Sequence, residues 1–285
     1  MMILIWQPLL SAKPGKQMAT AQMSNNGFVV MNQADLSDDG FLGCRLQILQ
    51  PAKGYRAGID AVMLAASVDA KPGERVLDLG AGVGTASLCL AHRLADIAVT
   101  GLEVQADLVV LAQENARRNG LAARATFVEG SVAEKAASLA TKEIAYGSFD
   151  HVMTNPPFYD EEKVWPSPDA VKAKAHAFDE VNLKTWVEVA CAMAKPKGTV
   201  TFVHRADALP DLLLHVGKRL GDLTVLPLWS RQGEDAKRIL LRGTKGSRAP
   251  FTMMSGFTLH RREGGFTAEA DAILKEGGAL PFKIA

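Results

Sequence analysis

The chain has 285 residues, enough for one large domain or for a domain with an appendage. Its hydrophobic fraction of 48% and charged fraction of 22% are ordinary for a folded globular protein and argue against disorder, while a net charge of +1 singles out no class of partner. The three cysteines, Cys44, Cys89 and Cys191, contain no CxxC pair, which predicts neither disulfides nor a metal site and favours a reducing compartment.

The N-terminal part of the chain shows little periodicity. Its opening, MMILIWQPLL, is apolar, but no Lys or Arg precedes it and a proline interrupts it. It is also much shorter than the roughly 18 residues that a membrane span needs. We therefore predict an irregular N-terminal extension over residues 1–40, no membrane segment and a cytoplasmic location.

A regular alternation of strands and helices starts at residue 75. Such alternation indicates βαβ units, and hence an α/β fold with a doubly wound, mostly parallel sheet of seven strands. The last two strands have no helix between them, so we expect them to pair antiparallel at one edge. The predicted strands are 75–79, 98–104, 125–130, 149–155, 198–204, 223–229 and 237–243.

A glycine-rich loop, VLDLGAGVGT, joins the first of these strands to a helix. Gly80, Gly82 and Gly84 allow backbone conformations that other residues resist, and they let a ligand approach the main chain. Their GxGxG spacing differs from the GxGxxG of dinucleotide sites. Asp78, two residues before the first glycine, is a poor neighbour for a pyrophosphate because both are anions. It suits a cationic ligand such as S-adenosylmethionine, which carries a sulfonium and an ammonium group.

Glu103 ends the second strand of the series. A carboxylate at that position can accept hydrogen bonds from both hydroxyls of a ribose. Nicotinamide and S-adenosylmethionine sites share this feature, so Glu103 alone does not discriminate between them. The alternative is that Asp78 and Glu103 merely cap neighbouring helices, which their coincidence with the glycines disfavours.

The motif NPPF follows the fourth strand. Asn155 offers a side-chain carbonyl and Pro156 a rigid backbone carbonyl, and two such acceptors suit an NH₂ group whose lone pair is delocalised. Holding both hydrogens would direct that lone pair at an electrophile without any titrating side chain. Phe158 adds a flat surface on which a base can stack. The alternative is a tight turn that packs Phe158 into the core.

Together, DLGAGVG, Glu103 on the second strand and NPPF resemble the class I S-adenosylmethionine-dependent methyltransferases, in the branch that acts on exocyclic or amide nitrogen. GYRAGIDAVMLAASV and KRILLRGTKG resemble, more narrowly, the bacterial tRNA adenine-N6 methyltransferases of the anticodon loop. The similarity runs from about Gly54 to Lys245. We place the methyltransferase domain at residues 41–262 and a C-terminal tail at 263–285.

The resemblance also implies a role for individual residues. Tyr55 and Asp60 would line the entrance of the cofactor site, and the loop after the third strand would contact the adenine of the cofactor. The residues assigned to the target base are Asn155, Pro156 and Phe158. The residues assigned to the cofactor are Tyr55, Asp60, Asp78, Gly80, Gly82, Gly84, Glu103, Ser131 and Asn155.

Two positions depart from the family pattern. Ser131 stands where the family often has an aspartate that contacts the amino group of the cofactor's adenine. Phe158 replaces a tyrosine, as it does in rRNA guanine-N2 methyltransferases, so the identity of the target base stays open. Methylation of a glutamine amide in a protein is a further alternative, because the same two acceptors would hold an amide NH₂.

A basic run near the end of the domain favours RNA, most of all tRNA, as the partner. Between Lys237 and Arg262 there are seven Lys or Arg residues and no acidic residue. Such a run is either a solvated face or a surface that contacts phosphates. An inactive cofactor-binding subunit is disfavoured by the intact NPPF, and a nicotinamide dehydrogenase by the glycine spacing and Asp78.

Overall fold

A computed structural model of the chain describes residues 35–54, 56–157, 182–280 and 282, together with the backbone of three short strands ahead of them. The short strands are β1 (Met2–Ile3), β2 (Gln22–Met23) and β3 (Val29–Asn32), and β3 pairs antiparallel with the other two. A hairpin of β4 (Leu36–Phe41) and β5 (Leu46–Pro51) follows. Most of β4 therefore lies within the stretch 1–40 that the sequence predicts to be irregular.

The centre of the molecule is one large sheet. Its order is β13-β11-β12-β10-β9-β6-β7-β8, and β14 also pairs with β11. The predicted doubly wound, mostly parallel sheet is confirmed: the seven long strands are β6 to β12, and two short strands lie beyond them. The strands are β6 (Arg75–Leu79), β7 (Ala98–Glu103), β8 (Ala125–Glu129), β9 (Phe149–Thr154), β10 (Ala194–Arg205), β11 (Leu220–Arg231), β12 (Arg238–Lys245), β13 (Thr252–Met253) and β14 (Phe257–His260).

The antiparallel strand is β12, which pairs with both β10 and β11. It is inserted between these two strands, one position in from the edge of the seven, rather than outermost. Because β12 reverses direction, β11 runs parallel to the central strands again, and so do β13 and β14, which pair parallel with β11.

Seven described helices cover the two faces of the sheet. One face packs against α1, α2, α3 and α7, and the other against α4, α5 and α6. Asn182 is the N-cap of α5, since its Oδ1 accepts a hydrogen bond from the Thr185 amide at 2.9 Å. The helices are α1 (Ile59–Ser67), α2 (Thr85–Arg93), α3 (Ala106–Arg118), α4 (Ala136–Thr141), α5 (Leu183–Met193), α6 (Leu209–Val216) and α7 (Ala268–Leu274).

The hairpin is attached to the rest of the domain by a buried asparagine of α3. Asn115 Oδ1 accepts from the Leu49 amide at 2.8 Å, and its Nδ2 donates to Leu49 O and to Val83 O, each at 3.0 Å. Val83 belongs to the glycine-rich loop. One side chain thus connects the N-terminal hairpin, a helix and that loop.

The last described residues pack onto the face of the sheet that α1 covers. The Leu280 amide donates to Ala66 O in α1 at 2.8 Å, and Phe282 is buried beneath the guanidinium of Arg242, 4.4 Å from the ring centroid. The segment 263–285, which the sequence predicts to be a tail, therefore contains α7 and residues that contribute to the core.

The parallel strands end together at what we call the carboxyl edge of the sheet. Ladder pairing places Leu79 of β6 opposite Thr154 of β9, and Thr154 opposite Phe202 of β10. Ligands of open α/β sheets bind at this edge. None of the helices in the described ranges has the length and apolarity that crossing a membrane requires.

Candidate functional site

The glycine-rich loop leaves β6 at the carboxyl edge and turns into α2. Gly80, Gly82 and Gly84 all have positive φ, at 79°, 56° and 83°. A Cβ on Gly80 would lie 2.8 Å from the ring of Trp186, and a Cβ on Gly84 would lie 2.6 Å from the ring of Phe127, whereas one on Gly82 would meet nothing within 4 Å. Packing thus requires two of the glycines, and Gly82 alone faces open space.

Asp78 is a buried carboxylate, only 2% exposed. Ser87 of α2 donates its hydroxyl hydrogen to Asp78 Oδ2 at 2.7 Å. The pKa of Asp78 is raised to about 6, chiefly by burial; the bonds from Ser87 lower it, and the nearby charge of Glu103 acts in the same direction as burial. The charged form of Asp78 is therefore destabilised in the protein without a ligand.

Glu103 is the second buried acid of the site, 7% exposed at the end of β7. Its Oε2 accepts from the Gly82 amide at 2.9 Å and its Oε1 from the Gln105 amide at 3.0 Å. Burial raises the pKa of Glu103, and the amide donors counteract that rise. Within the described ranges, no Lys, Arg or His forms an ion pair with Glu103 or Asp78.

These two acids fit a cationic ligand. Two buried carboxylates without a basic partner repel each other, and a positive group placed between them would lower the cost of keeping both ionised. Gly82 provides open space beside them. The ammonium and sulfonium groups of S-adenosylmethionine meet this requirement, and a pyrophosphate does not. The described residues contain no cluster of His, Cys, Asp or Glu that could hold a metal ion.

Ser131 follows β8 and lies two strands away from Asp78 at the same edge. The loop is held beside β7 by the Gly130 amide, which donates to Glu103 O at 2.9 Å. Ser131 Oγ accepts from the Ala133 amide at 3.1 Å, and its own amide donates to Glu134 Oε1 at 2.9 Å. The hydroxyl thus already stabilises its own turn.

Asn155 and Pro156 directly follow β9, the neighbour of β6. Because Leu79 pairs with Thr154, Asn155 and Gly80 occupy equivalent positions at the ends of adjacent strands. Asn155 is partly buried and Pro156 is buried. The structure therefore brings the start of NPPF next to the glycine-rich loop. Phe158 and Tyr55 lie outside the described residues.

Asp60 lies in the first turn of α1, where it forms an ion pair. Arg238 Nε is 2.9 Å from Asp60 Oδ2, and both side chains are about one-third exposed. Arg238 starts β12 and pairs in the ladder with Arg205, the last residue of β10, so the ion pair lies at the carboxyl edge. The sequence does not indicate this partner, because the two residues are 178 positions apart.

Sequence analysis also does not single out Thr154 and Trp186, two buried residues between the glycine-rich loop and NPPF. Trp186 Nε1 donates to Thr154 Oγ1 at 2.7 Å, and Thr154 Oγ1 donates to Leu79 O at 2.7 Å. In the sequence Trp186 is only one apolar residue of a helical pattern, and Thr154 is one residue of a buried strand. No local signal distinguishes them from ordinary core residues.

Comparison with known proteins agrees with this geometry. The family model for the methyltransferase small domain matches residues 57–173. The tRNA1(Val) (adenine(37)-N6)-methyltransferase of Actinobacillus succinogenes is 27% identical over 251 residues, which cover 84% of this chain and 96% of the relative. The protein of the same name from Porphyromonas gingivalis is 28% identical over 222 residues, covering 73% and 83%.

A solved structure shows similarity of fold over about three quarters of the chain. It belongs to a predicted O-methyltransferase from Agrobacterium tumefaciens, is 26% identical and aligns with a TM-score of 0.65 over 77% of this chain and 97% of the other. Fold, family match and curated relatives agree with the resemblance that the motifs carry. The chain is thus an S-adenosylmethionine-dependent methyltransferase with a Rossmann-like fold, and S-adenosylmethionine is its methyl donor.

Proposed function

We propose that the protein methylates N6 of an adenine in tRNA. The observation that carries this proposal is the ladder pair of Leu79 with Thr154, which sets Asn155 and Pro156 beside the glycine-rich loop. An arrangement with two carbonyl acceptors next to a methyl-donor site suits a planar amine. The names of the relatives from A. succinogenes and P. gingivalis supply the adenine and the tRNA.

The cofactor side of the site consists of acids and one open glycine. When bound, S-adenosylmethionine supplies a methyl group activated by a positively charged sulfur. Asp78 would face the ammonium group, Glu103 the ribose hydroxyls, and Gly82 would allow the close approach of the ligand to the backbone. Each carboxylate oxygen that already accepts one bond keeps a lone pair for a second.

The substrate side needs no titrating base. The side-chain oxygen of Asn155 and the backbone oxygen of Pro156 would accept the two hydrogens of the exocyclic amine and turn its lone pair toward the methyl carbon. The nitrogen loses its extra proton after transfer, when it is strongly acidic, and water can accept that proton. Phe158 would stack on the base.

The topology divides the basic run into two groups. Arg238 begins β12 at the carboxyl edge and Lys237 directly precedes it, and Arg261 and Arg262 directly follow β14 at that same edge. Lys245 ends β12 at the opposite edge, and Arg248 follows it there. An RNA that places a base at Asn155 would contact the first group, so only that group is proposed to bind phosphates.

The proposal is tested with labelled S-adenosylmethionine and separate pools of tRNA, rRNA and protein. We expect label in tRNA, recovered as N6-methyladenosine. Asn155→Leu, which keeps the size but removes the acceptor, should transfer no label, yet calorimetry should show its cofactor affinity within about twofold of wild type. Asn155→Asp keeps an acceptor and should retain partial activity. Label in guanine of rRNA or in glutamine would refute the adenine assignment.

Asp78→Asn should stabilise the fold and weaken cofactor binding. Because the pKa of Asp78 is about 6 in the folded protein and 3.8 for an ordinary aspartate, ionisation of Asp78 lowers stability as pH rises from about 4 to 6, and this penalty is complete above pH 6. At pH 7.5 the variant should gain at most about 3 kcal/mol in urea unfolding. At pH 4 the gain should disappear.

The same variant loses a charge-assisted contact to the cofactor. Calorimetry at pH 7.5 should show a dissociation constant for S-adenosylhomocysteine raised about 10- to 100-fold. An unchanged affinity would exclude Asp78 from the cofactor site. A loss of stability in the variant would contradict the conclusion that the ionised carboxylate of Asp78 destabilises the fold.

Gly82→Ala should weaken cofactor binding, and Gly120→Ala provides a matched control. Both glycines have positive φ, 56° and 67°, and neither has an atom within 4 Å of an added Cβ. Each substitution should therefore cost a similar 1–2 kcal/mol or so of stability. Only Gly82→Ala should raise the dissociation constant of S-adenosylhomocysteine, about tenfold or more. Equal affinities in the two variants would mean that the ligand does not approach Gly82.

The division of the basic run is tested by salt dependence. Arg261→Ala with Arg262→Ala should reduce the slope of log affinity for tRNA against log salt by about 1.5, as expected for two lost phosphate contacts. The matched control is Lys218→Ala with Arg248→Ala, an equal charge change among exposed residues at the opposite edge. A larger effect in the control would place the RNA elsewhere.

A further inference from the structure

The hydroxyl of Thr154 connects the two halves of the site. Thr154 is fully buried at the end of β9, and it donates to Leu79 O, 75 positions away in the sequence. That carbonyl belongs to the peptide bond that leads into Gly80. The amide on the other side of the same peptide donates to Leu102 O at 2.8 Å. The first peptide of the glycine-rich loop is thus held at its oxygen by Thr154 and at its nitrogen by β7.

Trp186 contacts the same two segments, the end of β9 and the start of the glycine-rich loop. Its indole Nε1 donates to Thr154 Oγ1, and its ring occupies the space where a Cβ of Gly80 would lie, 2.8 Å from Cζ2. Trp186 lies in the first turns of α5 and is 9% exposed. A single tryptophan therefore contacts both the strand end that precedes Asn155 and the loop that starts at Gly80.

We propose that Thr154 and Trp186 are positioning residues that set the separation between the methyl donor and the target amine. This inference rests on the proposed function, since it takes Asn155 and Pro156 to hold the amine. A methyl transfer needs the nitrogen, the methyl carbon and the sulfur in line, and a misplacement of about 1 Å can cost a hundredfold in rate. Two backbone segments joined through one oxygen keep that separation fixed.

The bonding pattern distinguishes this role from ordinary packing. A buried strand end against a helix would be satisfied by an apolar side chain such as valine, which has the shape of threonine. The hydroxyl instead uses its one hydrogen for the carbonyl of Leu79 and an oxygen lone pair for the indole of Trp186, so each partner depends on it. The bond also joins the residues that directly precede and follow the segment 155–185 in the sequence.

Three variants at position 154 and a matched threonine test the proposal. Thr154→Val should lower kcat about 10- to 100-fold while the dissociation constant of S-adenosylhomocysteine changes less than threefold, because the variant misplaces the two halves without removing a ligand contact. Thr154→Ser keeps the hydroxyl and should restore most of the rate. Thr201→Val, at a buried threonine of the adjacent β10, should keep kcat near wild type. Thr154→Asn should not substitute for serine, because its larger side chain cannot take the same position.

A double variant tests whether Thr154 and Trp186 act through the bond between them. If one bond between Thr154 and Trp186 carries the effect, Thr154→Val combined with Trp186→Phe should be slower than wild type by less than the product of the two single losses. Thermal unfolding establishes that each variant is folded at the assay temperature. All rates use whichever amine the wild type methylates, so an error in the tRNA assignment leaves this test intact.

Two outcomes would overturn the inference. One is a wild-type kcat in Thr154→Val. The other is a loss of kcat that Thr154→Ser fails to restore or that an equal loss of cofactor affinity accompanies, since either would point to a merely structural role.

Discussion

The site depends on the parallel pairing of β6 with β9. Leu79 opposite Thr154 brings together a loop and a motif that lie 75 residues apart, and both residues are fully buried. Sites built on strand ends are more precise than sites built on loops alone. The glycine-rich loop and Asn155 need only follow their strands to meet, and the hydroxyl of Thr154 reinforces the ladder at its last position.

At the same edge, two buried acids disfavour folding and favour the binding of a cation. Asp78 and Glu103 are both buried, both have raised pKa values because of that burial, and Glu103 raises the pKa of Asp78 still more. Hydrogen bonds from Ser87 and from the amide of Gly82 only partly offset this cost. A protein that keeps two such acids destabilises its own ligand-free state, and a cation that binds between them recovers that free energy as affinity.

Much of the architecture could be predicted, because strands such as 75–79 and helices such as 85–93 show their own periodicity. The insertion of β12 between β10 and β11 could not, because strand order depends on pairing between distant segments. The hairpin strand LSDDGF carries too little apolar alternation to be recognised. Gly80 and Gly84 adopt the unusual backbone conformations that the glycine-rich pattern predicts, and the structure adds a second reason for glycine, which is close packing against Trp186 and Phe127.

The parts that sequence patterns missed are also those that hold the edge in place. Asn115 joins the hairpin to the glycine-rich loop at Val83, and the ion pair of Arg238 with Asp60 joins β12 to α1. Each is a contact between segments far apart in the chain, so no local pattern contains it. A strand end is an open boundary with few neighbours of its own, and a site placed there stays rigid only if distant segments are bound across it. The motifs therefore provide the chemistry, and the long-range contacts around them provide the fixed distances that the chemistry requires.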